Sequence, residues 1–199
     1  MTSVILASSN KHKAEELSIL FDPKIVQVAA ATEKIEVVED GETYHDNALL
    51  KAKAYYDRFK CPVVADDSGL SVDALPGELA VQTARFGGDN LSAKERYELL
   101  LKRMIDVPAE KRQAHFICIL CFYLNPNEIF FFEGKVDGTI SLAAQGDHGF
   151  GYDPVFIPNG VDGVSTLAQL PEWKDKNSHR ARATQAAQKF FAGFGGQKD

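Results

Sequence analysis

Residues Cys61 to Asp73 read CPVVADDSGLSVD. An apolar run, Val63 to Ala65, meets two adjacent carboxylates, Asp66 and Asp67, then Ser68 and Gly69, before apolar character resumes at Leu70. A half-buried strand alternates apolar and polar residues, whereas here the acids sit together. The pattern predicts a short buried strand ending at the acids, a turn at Ser68 and Gly69, and a second strand. Ligands of open α/β sheets gather beyond the carboxyl ends of strands. Two neighbouring carboxylates are costly unless a cation or a proton lies between them. One acid is therefore expected to bind a cation while the other hydrogen-bonds the turn.

Outward from this stretch, strands and helices alternate without repeats or a low-complexity linker. Ser3 to Ala7 reads as a strand, Lys11 to Phe21 as a helix and Ile25 to Ala29 as a second strand. Thr43 with Asp46 three residues on forms an N-terminal capping pattern, and Ala48, Ala52, Tyr55 and Phe59 follow at helical spacing. Ser92 and Glu95 repeat that capping pattern ahead of RYELLLKRM. Gln113 to Leu124 and Ile129 to Val136 read as a hairpin joined through NPNE, with Gly138 to Ala143 as a further strand. Ser178 opens a last helix with Ala183, Ala187, Phe190 and Phe194 on its apolar side. This order predicts an α/β fold around a mixed β-sheet.

The 199 residues suffice for one core-bearing domain, or two packed lobes, without disulfides. A net charge of -6 excludes a protein that coats nucleic-acid polymers, because that affinity comes from many Lys and Arg on phosphates. A small phosphorylated ligand held by a few local lysines stays open. The longest apolar run, Phe116 to Leu124, is nine residues long, and MTSVILASSN carries no basic leader, so the expectation is a cytoplasmic protein with no membrane span. Cys118 and Cys121 form a C-x-x-C inside a strand pattern. Residues three apart on a strand face opposite sides, so these thiols are read as packing groups rather than zinc ligands.

Four polar clusters remain. SSNKHK follows the first strand and opens the first helix, so backbone N–H groups and the positive end of the helix dipole aim at whatever lies above. Ser8, Asn10 and Lys13 would add donors for a phosphate chain; a solvated helix cap is the plain alternative. In VEDGETYHDNALLKA, Asn47 and Lys51 are four apart and share a helix face. Glu39 reads either as a metal ligand or as part of a solvated loop. GDHGFGYDPVF spaces Phe150, Tyr152 and Asp153 with glycines such as Gly151, an aromatic face and a carboxylate suited to a stacked, edge-read ring. His179 and Arg180 start the last helix, where cations oppose the dipole.

Together these segments resemble the inosine triphosphate pyrophosphatase family from Val4 to about Phe190. SSNKHK is similar to its Ser/Thr-x-Asn-x-x-Lys loop and TYHDNALLKA to its Thr-Phe-x-Glu-Asn-Ala-x-x-Lys-Ala helix, while ADDSGL, FGYDP and SHR match outright. The chain has VQTARF where the family has Tyr-Ser-Ala-Arg, ELA near its usual Pro-Gly, and Asp46 for its Glu. The resemblance implies an elongated central mixed sheet flanked by helices, in a single two-lobed domain over residues 1–199 with an active-site cleft between the lobes. It implies hydrolysis of ITP, dITP, XTP and dXTP to the monophosphate and pyrophosphate, with Mg²⁺, by a homodimer.

Carried over by position, Asp67 is the general base and a metal-binding acid and Glu39 a further metal ligand. Ser8, Ser9, Asn10, Lys11, His12 and Lys13 form the triphosphate loop, and Lys51 and Ser68 add phosphate contacts. Phe150, Gly151, Tyr152 and Asp153 hold base and sugar, and Lys174, His179 and Arg180 read the purine edge. Two other functions stay in play: a Maf-like pyrophosphatase for modified pyrimidines, against which FGYDP and SHR speak, and a non-catalytic nucleotide-binding protein, against which the paired aspartates speak.

Overall fold

The computed structural model describes residues 1–8 and 10–194. In chain order the elements are β1 (Thr2–Ala7), α1 (Lys11–Leu20), β2 (Val26–Ala30), α2 (Tyr44–Phe59), β3 (Val63–Val72) and α3 (Ala93–Arg103). There follow β4 (Gln113–Asn125), β5 (Glu128–Ile140), β6 (Phe156–Pro158), α4 (Pro171–Asn177) and α5 (His179–Phe194). The six strands form one sheet in the order β2-β1-β3-β4-β5-β6. β1 runs parallel to β2 and β3, and β5 antiparallel to β6, so the sheet is mixed and the fold α/β. No helix among the described residues is long and apolar enough to cross a membrane.

The described residues divide into two compact units, one comprising Met1–Asp67, Cys118–Gly134 and residues 179–194, the other Ser68–Ile117 and Lys135–Ser178. In the first unit, α1 carries the chain from β1 to β2 and α2 carries it back across β1 to β3. Parallel crossovers are right-handed almost without exception, so these two opposite steps put α1 and α2 on opposite faces of the sheet. α5 packs beside α1. Its Ala183, Ala187 and Phe191, spaced by one helical turn, join Leu17, Val26 and Phe122 in one core cluster. The Phe191 and Phe122 rings lie 4.7 Å apart, and each large side chain so buried stabilises the fold by about 1.5–3 kcal/mol. A Cβ at Gly134 would stand 2.0 Å from His179 O, so glycine there lets the α5 backbone meet β5. The second unit has its own core, built around Leu70, Leu100, Phe116, Tyr152, Phe156 and Leu167.

Two strand expectations change. β3 is continuous through Asp66, Asp67, Ser68 and Gly69 with no turn, because buried Leu70 and Val72 keep its far half in a core. β5 likewise absorbs most of what reads as two strands, ending at Ile140. Gly138 is not a break in it: a Cβ there would lie 2.3 Å from Ile157 O, so the glycine admits the backbone of β6. The capping boxes at Thr43–Asp46 and Ser92–Glu95 both form. Asp46 completes its box by accepting from Thr43 N at 3.0 Å. Cys118 and Cys121 are buried free thiols.

In the ELA segment, Ala80 has φ +54°, a left-handed conformation that a side chain disfavours by about 1–2 kcal/mol. Replacing it by glycine removes that strain but adds unfolded-chain freedom worth roughly 0.5–1 kcal/mol. Ala80→Gly is therefore expected to stabilise the protein by about 0.5–1 kcal/mol, measured by urea unfolding.

Candidate active site

β1 pairs with β3 only through Ile5–Ala7 and Val63–Ala65, so β1 ends just where β3 reaches its acids. The expectation of a strand end is met by the neighbour: the carboxyl end of β1, not of β3, opens beside Asp66. This is also where the strand order reverses, the usual ligand position in an open sheet. Adjacent residues of a strand face opposite sides. Asp66 meets Lys13 of α1 and Arg180 of α5, and Asp67 meets Lys51 of α2, with α1 and α2 on the faces that the two crossovers require.

Asp66 is buried among cations. Its Oδ1 takes the Lys13 ammonium at 2.6 Å, and its Oδ2 accepts from Arg180 Nε at 3.2 Å and from the Cys118 thiol at 3.3 Å. Arg180 also donates through Nη1 to Glu16 on α1. Burial alone pushes the Asp66 carboxyl up, but Lys13 and Arg180 outweigh it and hold the group well below the usual carboxylate range. For Arg180, burial opposes the charge, and the carboxylates of Asp66 and Glu16 reverse the sign and raise its pKa. Burial and the Asp66 charge push the Cys118 thiol well up, so it serves as a donor.

Asp67 has a different setting. Its Oδ1 accepts from Lys51 Nζ at 3.0 Å, and the same ammonium donates to Glu39 Oε2 at 2.8 Å. Its Oδ2 is buried with no hydrogen-bond partner among the described residues. Burial pushes the Asp67 carboxyl above its ordinary value, and the charge of Asp66 adds to this, against the pull of Lys51 and Lys13. Two neighbouring carboxyls are thus driven apart, one fixed as an anion and one inclined to accept a proton. Glu39 is placed by its loop. Gly41 N donates to Asn47 Oδ1 at 2.9 Å, and a Cβ at Gly41 would lie 2.5 Å from Asp46 Cβ, so only glycine lets the loop lie on α2. One turn beyond Asn47, Lys51 reaches both acids. The solvated-loop alternative for Glu39 gives way to this half-buried ion pair.

Of the SSNKHK loop, Asn10 caps α1 through Oδ1 to Lys13 N at 3.3 Å, and Ser8 Oγ accepts from Asn10 N at 3.2 Å. Lys13 turns inward to Asp66. Lys11 and His12 turn outward to Glu15, at 3.7 and 3.9 Å. Ser9 lies outside the described residues.

The second unit gathers a further group. Lys174 Nζ lies 2.7 Å from Asp153 Oδ2 and 4.7 Å from the centre of the half-buried Phe150 ring. Asp153 Oδ2 also accepts from Phe150 N at 2.8 Å. Gly149 lets this turn close, since a Cβ there would fall 2.1 Å from the same oxygen. Gly151 takes φ +64° within the turn, and Ser68 sits half-buried on β3. Tyr152 is not part of an open aromatic face: its ring is core, and its hydroxyl donates to Thr83 O at 2.9 Å.

A family model described as the Ham1 family matches residues 4–190 of this sequence. The chain belongs to the Ham1 family. A "dITP/XTP pyrophosphatase" of Oceanobacillus iheyensis is 40% identical over 196 residues, covering 96% of this chain and 98% of its relative. One of the same name from Leifsonia xyli is 41% identical over 185 residues, 92% of each. Among solved structures, the Ham1 protein of Staphylococcus aureus superposes with a TM-score of 0.85 at 35% identity, covering 97% of this chain and all of that one.

Within this Ham1 chain, three features of the site escape sequence reading. Arg180, expected at a purine edge, is 1% exposed and ion-paired to Asp66 and Glu16, with α5 lying beside α1. Of its neighbours in that network, Glu16 is singled out by no motif and Cys118 is read only as a packing group. An arginine at a helix start, where the dipole repels it, was the one available signal, since a buried acid is what offsets that repulsion. His179 beside it is also buried.

Proposed function

We propose that this chain hydrolyses the non-canonical purine nucleoside triphosphates ITP, dITP, XTP and dXTP to the monophosphate and pyrophosphate, and so cleanses the nucleotide pool. The observation that carries the reading is the opposite bias of Asp66 and Asp67, one held ionised and one raised. Paired carboxyls with diverging pKa values mark a division of acid–base labour. Asp67 is the general base for the attacking water, and Asp66 is the anchor that fixes Lys13. Lys13 and Lys51 face the phosphate tail, and Arg180 braces Asp66. The relatives' shared name supports the substrate class.

Mg²⁺ is the proposed cofactor, with Asp67 and Glu39 as its protein ligands. The residues fit it: Asp67 Oδ2 is a buried acceptor without a partner among the described residues, and Glu39 converges with Asp67 on one cation, the Lys51 ammonium. Among the described residues no cluster of three His, Cys, Asp or Glu forms a complete cage. Mg²⁺ ordinarily takes one or two carboxylates and completes its shell with waters and substrate phosphates. When bound it would neutralise phosphate oxygens and acidify water.

For the base we assign Phe150, Asp153 and Lys174 of the second unit. A donor there satisfies the 6-oxo group of hypoxanthine but meets another donor in the 6-amino group of adenine, at about 1–3 kcal/mol per buried mismatch. Phe150→Ala is expected to raise KM for ITP roughly 5- to 150-fold with kcat little changed, as loss of one base–aromatic stack predicts. An unchanged KM would assign Phe150 to the scaffold. We further assign the protein to the cytoplasm as a homodimer; light scattering checks the latter against twice 21.9 kDa.

The test of the whole reading is product analysis over a nucleotide panel with and without Mg²⁺. Monophosphate and pyrophosphate from ITP, XTP and their deoxy forms, with little from ATP, is the expected result. Orthophosphate release, a preference for modified pyrimidines or binding without turnover rejects it.

A further inference from the structure

We infer that Lys51 is the resident cation of the Glu39–Asp67 pair and keeps divalent metal out of that pair until a phosphate tail draws its ammonium away. The inference rests on the reading of Glu39 and Asp67 as metal ligands and adds an order of events to it. The Lys51 ammonium lies 2.8 Å from Glu39 Oε2 and 3.0 Å from Asp67 Oδ1, and its side chain is 12% exposed. A divalent ion held by the same two carboxylates, even through the second Asp67 oxygen, would face that ammonium at close range, where charges of like sign repel strongly in a half-buried setting. Both cannot stay.

Lys51 can move because its charge rides on a four-carbon stem with free rotation, unlike an arginine fork. It needs new acceptors, and a triphosphate tail supplies them. Glu39 and Asp67 are then released together. Metal and phosphate must therefore bind with positive coupling, each raising the affinity for the other, as thermodynamic reciprocity requires. A protein bearing this arrangement spends its resting time without metal, with the two carboxylates held by the lysine at the spacing that they keep.

The test is Mn²⁺ alone titrated into chelator-treated protein, followed by electron paramagnetic resonance of free Mn²⁺ and by calorimetry. Lys51→Met, which keeps the stem and removes the charge, is expected to bind Mn²⁺ at least about tenfold tighter than wild type. Lys51→Gln serves as a second variant should the first fail to fold, with circular dichroism as the check. In the double variant Glu39→Gln with Lys51→Met the gain is expected to vanish. Equal or weaker Mn²⁺ binding by both folded Lys51 variants, with wild-type binding that still depends on Glu39 and Asp67, overturns the inference but leaves the metal site standing. Mn²⁺ binding indifferent to Glu39→Gln and Asp67→Asn in every background overturns both.

Discussion

Asp67→Asn is expected to lower kcat for ITP by roughly 10²–10⁴, the usual contribution of a positioned general base, while the protein keeps its stability. The substitution keeps shape and leaves an oxygen for Lys51. Its effect on folding follows from the direction of the Asp67 shift. A carboxyl raised by folding contributes stability below its unfolded pKa and loses it as pH rises through the folded one. At neutral pH the charge on Asp67 thus opposes folding, and an amide relieves that opposition, so Tm should hold or rise. The same direction governs activity. The acid limb of kcat/KM in the wild type should lie above about 3.9, the ordinary aspartate value, since Asp67 must lose its proton to act. Near-wild-type turnover in Asp67→Asn, measured as pyrophosphate release, rejects the base assignment. So does an acid limb at or below the ordinary aspartate value.

The fold was legible in the sequence where local chemistry agrees with the tertiary environment. Thr43 and Ser92 announced their helices because a hydroxyl that caps an N–H acts within four residues. Ala183 and Ala187 announced the apolar face of α5 by period alone. The continuity of β3 was hidden, because two acids and a glycine read as punctuation unless one knows that β1 stops beside them and that ion pairs await on both faces. β6, three residues long, carries too little pattern to show, and α4 is marked only by Pro171 at its first position. At the site, the acids, Lys13, Lys51 and the Phe150–Asp153 turn were legible as residue types at the right spacing. Their partition was not. That Asp66 goes with Lys13 and Arg180, and Asp67 with Lys51 and Glu39, follows from the opposite crossovers of α1 and α2, a long-range consequence that no window of sequence contains. The ion pairs of Arg180 with Asp66 and Glu16 were hidden in the same way, because they form only once α5 packs beside α1.

Asp66→Asn should give the mirror image of Asp67→Asn: a large loss of stability. Asp66 is depressed by its cations, and a depressed carboxyl contributes stability above its unfolded pKa that is lost as pH falls through the folded one. At neutral pH the amide forfeits all of it. Removing one member of a buried ion pair also takes the countercharge from its partner: Arg180, 1% exposed, keeps Glu16 but loses the Asp66 carboxylate. Such losses run to about 3–5 kcal/mol, or roughly 6–20 °C in Tm for a chain of this size. The deficit should shrink when unfolding is measured below about pH 4, where the wild-type unfolded chain also protonates this residue. A buried pair replaced together costs less than one broken singly, so Asp66→Asn combined with Arg180→Met should recover part of the stability, and the double-mutant cycle measures the coupling. A wild-type Tm for Asp66→Asn at pH 7, or strictly additive losses in the cycle, would mean that the ionised Asp66 is not what holds Arg180 in place. The two neighbouring substitutions, alike in chemistry, would then no longer separate the anchor from the base.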